Sequence, residues 1–215
     1  MSPDVLLFDL DGTLVDSRED IAFSVNHTLN LLGHGSLSLK EVEDLVGDGV
    51  KQLLSRAMGL VDEKRLAEAV EIFLPHYKIH CVDRTHPYPE VIETLDALKG
   101  IPMGVVTNKP QESADKTLEK LGLSHYFSVV LGGDALPVRK PAPDPLWEAW
   151  RRLNGRRGTA LMVGDSPMDV FSAQGAGVLS VAMTYGFRSA DELKKTNPDW
   201  LLNSFGELLG VVGRG

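Results

Sequence analysis

Five short apolar runs constrain this chain more than any other feature: Val5-Leu6-Leu7-Phe8, Met103-Gly104-Val105-Val106, Val129-Val130-Leu131, Ala160-Leu161-Met162-Val163 and Val178-Leu179-Ser180-Val181-Ala182. They are continuous rather than alternating, as strands buried on both faces are. From residue 88 onward they alternate with amphipathic segments at 90–99, 111–121, 143–153 and 167–175. That alternation predicts βαβ units, hence an α/β fold with a Rossmann-like parallel sheet core.

Residues 17–80 break the pattern. Ile21, Val25, Leu29 and Leu32 recur at helical spacing behind Ser17, with Asp20 placed as the acid of a capping box. Further helical patterns cover 39–46, 50–58 and 62 onward, where Pro75 is expected to kink or end the last helix. No strand-like run interrupts this stretch. The expected organisation is an α/β core from 1–16 and 83–215, interrupted by an all-helical cap domain at 17–82.

Composition narrows the function. The chain has 215 residues and a formal charge of −8, which argues against nucleic acid, whose backbone calls for a clustered basic surface. Arg151, Arg152, Arg156 and Arg157 are therefore read as helix-end charges. The single cysteine, Cys81, rules out an internal disulfide or a cysteine zinc cluster and suits a reducing cytoplasm. No stretch approaches the ~18 apolar residues that span a bilayer, so no membrane partner is expected. His76 and His80, four apart, read as surface residues rather than zinc ligands, and residues 210–215 are expected to fray.

The chemistry gathers where the predicted strands end. Asp9 and Asp11 follow the first strand at i and i+2, with Gly12 permitting the chain to turn away. Open α/β sheets bind ligands at this edge, and two close carboxylates call for a hard divalent cation, best Mg²⁺. Thr107 and Asn108 end the second core strand and offer neutral hydrogen bonds to phosphate or substrate oxygens. Lys140, before Pro141, supplies a point charge for a phosphate and for neighbouring acids. Gly164-Asp165 repeats the strand-then-acid arrangement, with Asp165 suited to metal ligation and Asp169, in the first turn of the next helix, to supporting it.

The set Asp9-x-Asp11-Gly12-Thr13, Thr107-Asn108, Lys140-Pro141 and Gly164-Asp165-x-x-x-Asp169 resembles the four motifs of the haloacid dehalogenase (HAD) superfamily, with the helical insert where type C1 caps lie. Within it the chain is most similar to the phosphatases of 2-phosphoglycolate, although Asp48 stands where Asn is common and Phe187 where Tyr is usual. The resemblance implies an Mg²⁺-dependent phosphomonoesterase acting on a small phosphorylated metabolite, as a monomer or homodimer. Asp9 would form an aspartyl-phosphate, and Asp11 would serve as acid and then base. The Asp9 side chain, the Asp11 carbonyl and Asp165 would hold Mg²⁺, while Thr107 and Lys140 would stabilise the transferring phosphoryl group. The cap segment Gly47-Asp48-Gly49, with Lys51, would face the substrate. Other substrates (a sugar phosphate, nucleotide or pyrophosphate), a phosphomutase, and a non-catalytic binding module stay open as alternatives.

Overall fold

A computed structural model describes residues 3–59, 62–153 and 160–213; Arg156 and Arg157 lie outside the described residues. The main sheet consists of β1 (Val5–Phe8), β4 (Met103–Val106), β5 (Val129–Leu131), β6 (Ala160–Gly164), β7 (Leu179–Met183) and β8 (Trp200–Leu202). These strands pair in parallel in the order β5-β4-β1-β6-β7-β8. The chain builds outward from β1 to β5, then returns to the other edge of β1 with β6. Such a reversal opens a crevice at the carboxyl ends of the central strands.

Alternation along β1 splits its side chains between the two faces. Leu6 and Phe8 pack with Val91 and Leu95 of α5 (Val91–Ala97) and Leu118 of α6 (Gln111–Lys120). Val5 and Leu7 pack with Leu146 and Trp150 of α7 (Asp144–Arg152) and Ala173 of α8 (Pro167–Ala176). Both faces being covered, the strands read as unbroken apolar runs.

Between two short strands that pair with each other, β2 (Val15–Asp16) and β3 (His86–Pro87), lie four helices: α1 (Arg18–Leu31), α2 (Leu39–Leu45), α3 (Val50–Ala57) and α4 (Glu63–His80). They share a hydrophobic cluster around Val25, Leu29, Leu54, Phe73 and Tyr77. Two local expectations are corrected here. Pro75 does not end α4, because its ring sits on the exposed side while Phe73 and Tyr77 anchor the helix on either side of it. Ser17 and Asp20 form no capping box, since both are drawn elsewhere. Ser17 Oγ donates to Asp11 Oδ1 at 2.6 Å, and Asp20 accepts from Arg84 N, Thr85 N and Thr85 Oγ1 across the chain crossing.

Of the segment expected to fray, residues 210–213 are described and 214 and 215 lie outside the described residues. After α9 (Ala190–Lys194) and β8, helix α10 (Leu208–Val212) carries Gly210 and buries Leu208 and Val212 against the sheet. His76 and His80 are half-buried, hydrogen-bonded to Ser24 and Asp83 respectively. No helix among the described residues is long and apolar enough to cross a membrane.

Candidate active site

β1 delivers Asp9 to the crevice, its amide donating to Val163 O at 2.9 Å to continue the ladder with β6. The chain then folds back at Gly12, whose φ of +84° and bond from its amide to Val15 O make a tight turn. Lys140 stands behind Asp9. Its Nζ donates to Val106 O and to Asp169 Oδ1, each at 2.6 Å, and lies 3.0 Å from Asp9 Oδ1. That last approach is an ion pair off hydrogen-bond alignment, so Asp9 Oδ1 is buried without a hydrogen-bond donor. The other oxygen of Asp169 accepts from Ser166 N and Oγ at the start of α8. Asp169 is thus fully engaged in holding Lys140.

Asp165, at the end of β6, accepts from Thr13 Oγ1 at 2.9 Å and from Phe187 N at 2.8 Å. Because Phe187 acts through its backbone, Phe in place of Tyr leaves this contact intact. Carboxylate oxygens of Asp9, Asp165 and Asp169 converge within 4.8 Å. Burial raises the pKa of Asp165 well above the carboxylate range, with repulsion from Asp9 and Asp169 adding to it. Burial likewise raises Asp9 to about 6, Asp169 adding and Lys140 opposing.

These residues fit a divalent cation. The donors are hard oxygens, one is orphaned, and four carboxylates face only two buried ammonium groups, Lys109 and Lys140. Glycines keep the place open: a Cβ at Gly12 would sit 2.2 Å from Asp165 Oδ2, and one at Gly186 2.3 Å from Asp165 Cβ. Gly12→Ala should therefore cost about 2–4 kcal/mol, read as a lower urea midpoint at unchanged slope, because it combines the clash with a left-handed backbone.

Asp11 lies outside the metal-facing cluster. Its Oδ1 takes Ser17 Oγ at 2.6 Å and Lys109 Nζ at 2.8 Å, and Oδ2 carries no hydrogen bond among the described residues. Thr107 is buried and accepts from Lys109 N, while Asn108 donates from Nδ2 to Gly47 O and Lys140 O, joining the helical insert to the site.

Between the insert and the strand ends is a cavity of about 60 Å³, lined by Asp9, Asp11, Thr107, Asn108, Asp165 and, from the insert, Gly47, Gly49 and Tyr77. Asp48 and Lys51 are not part of its wall. Asp48 is drawn to Arg56 in an ion pair, and Lys51 is exposed on another face of α3. Asp48 lines a neighbouring cavity with Ser166 and Arg188 instead, and Gly47 and Gly49, which flank it, both have positive φ.

Four contributors escape a reading of spacing alone: Ser17, Tyr77, Lys109 and Arg188. Ser17 has the signature of a helix cap. Tyr77 follows Phe73 by four residues and so merges with an apolar helix stripe. Lys109 adjoins Thr107-Asn108, which is its one sequence signal. Arg188 donates to Glu43 O and to Val46 O, tying the insert to the loop after β7.

A family model described as haloacid dehalogenase-like hydrolase matches residues 6–183. The chain belongs to the haloacid dehalogenase-like hydrolase family. It is 37% identical over 215 residues to a phosphoglycolate phosphatase of Colwellia psychrerythraea, covering 96% of this chain and 95% of that one. A phosphoglycolate phosphatase of Neisseria meningitidis is 40% identical, covering 94% and 90%. A crystal structure from Haemophilus somnus, described as a predicted phosphoglycolate phosphatase, superposes with a TM-score of 0.92 at 33% identity, covering 98% of each chain. The HAD hydrolase is thus an enzyme whose relatives include phosphatases over nearly its whole length.

Proposed function

We propose that this HAD hydrolase is an Mg²⁺-dependent phosphatase of a small acid ester, 2-phosphoglycolate, acting through an aspartyl-phosphate on Asp9 beneath a cap formed by residues 17–82. The observation that carries the reading is the convergence of Asp9, Asp11 and Asp165 on one small cavity at the strand ends. Arg188, held by Glu192 and by the carbonyls of Glu43 and Val46, is also part of the wall.

In this reading an Asp9 carboxylate oxygen attacks phosphorus as the bond from phosphorus to the ester oxygen breaks. Asp11 gives its proton to the departing alkoxide, and Oδ2 is the oxygen left to carry it, since Oδ1 is taken by Ser17 and Lys109. In the second half Asp11 takes a proton from water, whose oxygen attacks the phosphoryl group and returns Asp9 as carboxylate. Thr107 and backbone amides after Asp9 bind the spread charge of the transferring group. Lys140, locked by Val106 O and Asp169, keeps Asp9 oriented and ionised. Asp9, Asp165 and the Asp11 carbonyl would hold Mg²⁺, which when bound offsets the excess of carboxylates and polarises phosphoryl oxygens. The cap would limit the access of bulk water to the site during turnover.

Phosphate release from a panel of small esters, with Mg²⁺ and with EDTA, tests the reading. The expected result is a kcat/KM for 2-phosphoglycolate in the range ~10⁴–10⁶ M⁻¹s⁻¹, above every other ester and lost with the chelator. A maximum on a sugar phosphate would overturn the substrate, and turnover unchanged in EDTA would overturn the metal.

A further inference from the structure

We propose that Lys109 is a positioning residue that fixes Asp11 for proton transfer and is itself engaged from the insert by Tyr77. The inference rests on the phosphatase reading above and deepens it by assigning work to two residues outside the four motifs.

Lys109 is built into its place. Its amide donates to Thr107 Oγ1 at 3.2 Å, its carbonyl accepts from Gly133 N at 2.8 Å, and its side chain is 1% exposed. A buried ammonium must be paired, and its partners come from two different parts of the fold. From the sheet side, Nζ donates to Asp11 Oδ1 at 2.8 Å. From α4, the Tyr77 hydroxyl accepts a second Nζ hydrogen, and the ring centroid lies 4.7 Å from Nζ. Burial pushes the Tyr77 phenol up, so it stays neutral and able to accept. Burial pulls Lys109 down, but Asp11 outweighs it and keeps the ammonium charged.

The geometry at Asp11 gives this pairing a consequence. Ser17 and Lys109 both donate to Oδ1, which fixes the rotation of the carboxylate and reserves Oδ2 for the proton. Some ties between the insert and the sheet domain end on backbone carbonyls, as Asn108 on Gly47 O, Arg188 on Glu43 O and Lys116 on Lys78 O do, and others join side chains away from the site, such as Arg139 to Gln52 and Lys78 to Glu112. Among the described residues, Lys109 alone bonds both a side chain of the insert and a carboxylate of the site. Tyr77 is itself held, stacked on Phe73 at 5.1 Å within the helical cluster. Movement of α4 away from the strand ends would take the hydroxyl from Nζ, so Asp11 is fully braced only while the insert is seated.

The test exploits leaving-group chemistry. An alkoxide leaves only with a proton from Asp11, whereas p-nitrophenolate leaves as a stable anion, and kcat/KM reports steps up to that departure. Lys109→Met should lower kcat/KM for 2-phosphoglycolate ~10²-fold and for p-nitrophenyl phosphate less than ~5-fold, with Tyr77→Phe showing the same selectivity at ~5–10-fold. Added to Asp11→Asn, Lys109→Met should cost no more than ~2-fold further, because both changes remove one function. Equal losses on the two esters, or additive losses in the double variant, would overturn the proposal, since a merely structural role affects both substrates alike. If Lys109→Met fails to fold, the selectivity of Tyr77→Phe alone decides. A wild type inert towards both esters would instead remove the phosphatase reading itself.

Discussion

Asp9→Asn is expected to abolish turnover while making the metal-free protein more stable. Loss of the nucleophile should lower kcat at least ~10⁴-fold, because the amide cannot form the acyl phosphate. The stability gain follows from the sign of the proton linkage. Asp9 ionises near 3.8 in an unfolded chain and at about 6 in the fold, chiefly through burial. The native state therefore holds this proton more tightly, so stability falls as pH rises from about 4 to about 6, and the full cost persists above that. Asn carries no such cost. In EDTA, Asp9→Asn should gain about 1–2 kcal/mol at pH 7.5 and almost nothing near pH 4, measured by urea unfolding. A variant no more stable than wild type at pH 7.5 would show that Lys140 fully compensates the buried charge. For the same reason, saturating Mg²⁺ should stabilise the wild type more than the variant.

Much of this site is legible in the sequence because strand-end chemistry has a fixed address. Asp9 and Thr107 follow an apolar run by one residue and Asp165 by two, and parallel pairing of β1, β4 and β6 brings those three ends together whatever the loops do. The strands themselves are legible because both faces of the sheet are covered. Short edge elements are not: Trp200-Leu201-Leu202 is too brief to stand out, and β2 and β3 exist through pairing with each other. Side-chain allegiance is hidden for a different reason. Ser17 satisfies the local rule for a cap, yet Asp11 is six residues away and offers a charged acceptor, which a hydroxyl prefers over a neutral arrangement. Asp48 sits in the right loop, but Arg56 draws its carboxylate into an ion pair beside the site rather than in its wall. Tyr77 and Lys109 meet across 32 residues of chain, a pairing that no spacing rule contains.

Lys140→Met is expected to remove activity and stability together, in contrast to Asp9→Asn. Burial alone would pull the Lys140 pKa down, but Asp169 and Asp9 outweigh it, so the side chain is a cation 3% exposed with three oxygens around its nitrogen. Met matches its length and removes its charge, leaving Asp9 and Asp169 facing each other in a buried site. Breaking one side of such a cluster costs about 3–5 kcal/mol, because the uncompensated charge stays behind. For a domain of this size that lowers Tm by about 10 °C. Arg would not substitute, since a bulky planar fork cannot bond Val106 O and Asp169 from the one point that also lies 3.0 Å from Asp9 Oδ1. Adding Asp169→Asn to Lys140→Met should restore most of the lost stability, because it removes a charge that no longer has a partner. It should restore no turnover, since nothing then orients Asp9 or sustains its ionised form. Thermal unfolding and phosphate release on the two variants separate these outcomes: recovery of both properties would mean that Lys140 matters only as a counter-charge to Asp169, and recovery of neither would mean that the Val106 carbonyl is its principal partner.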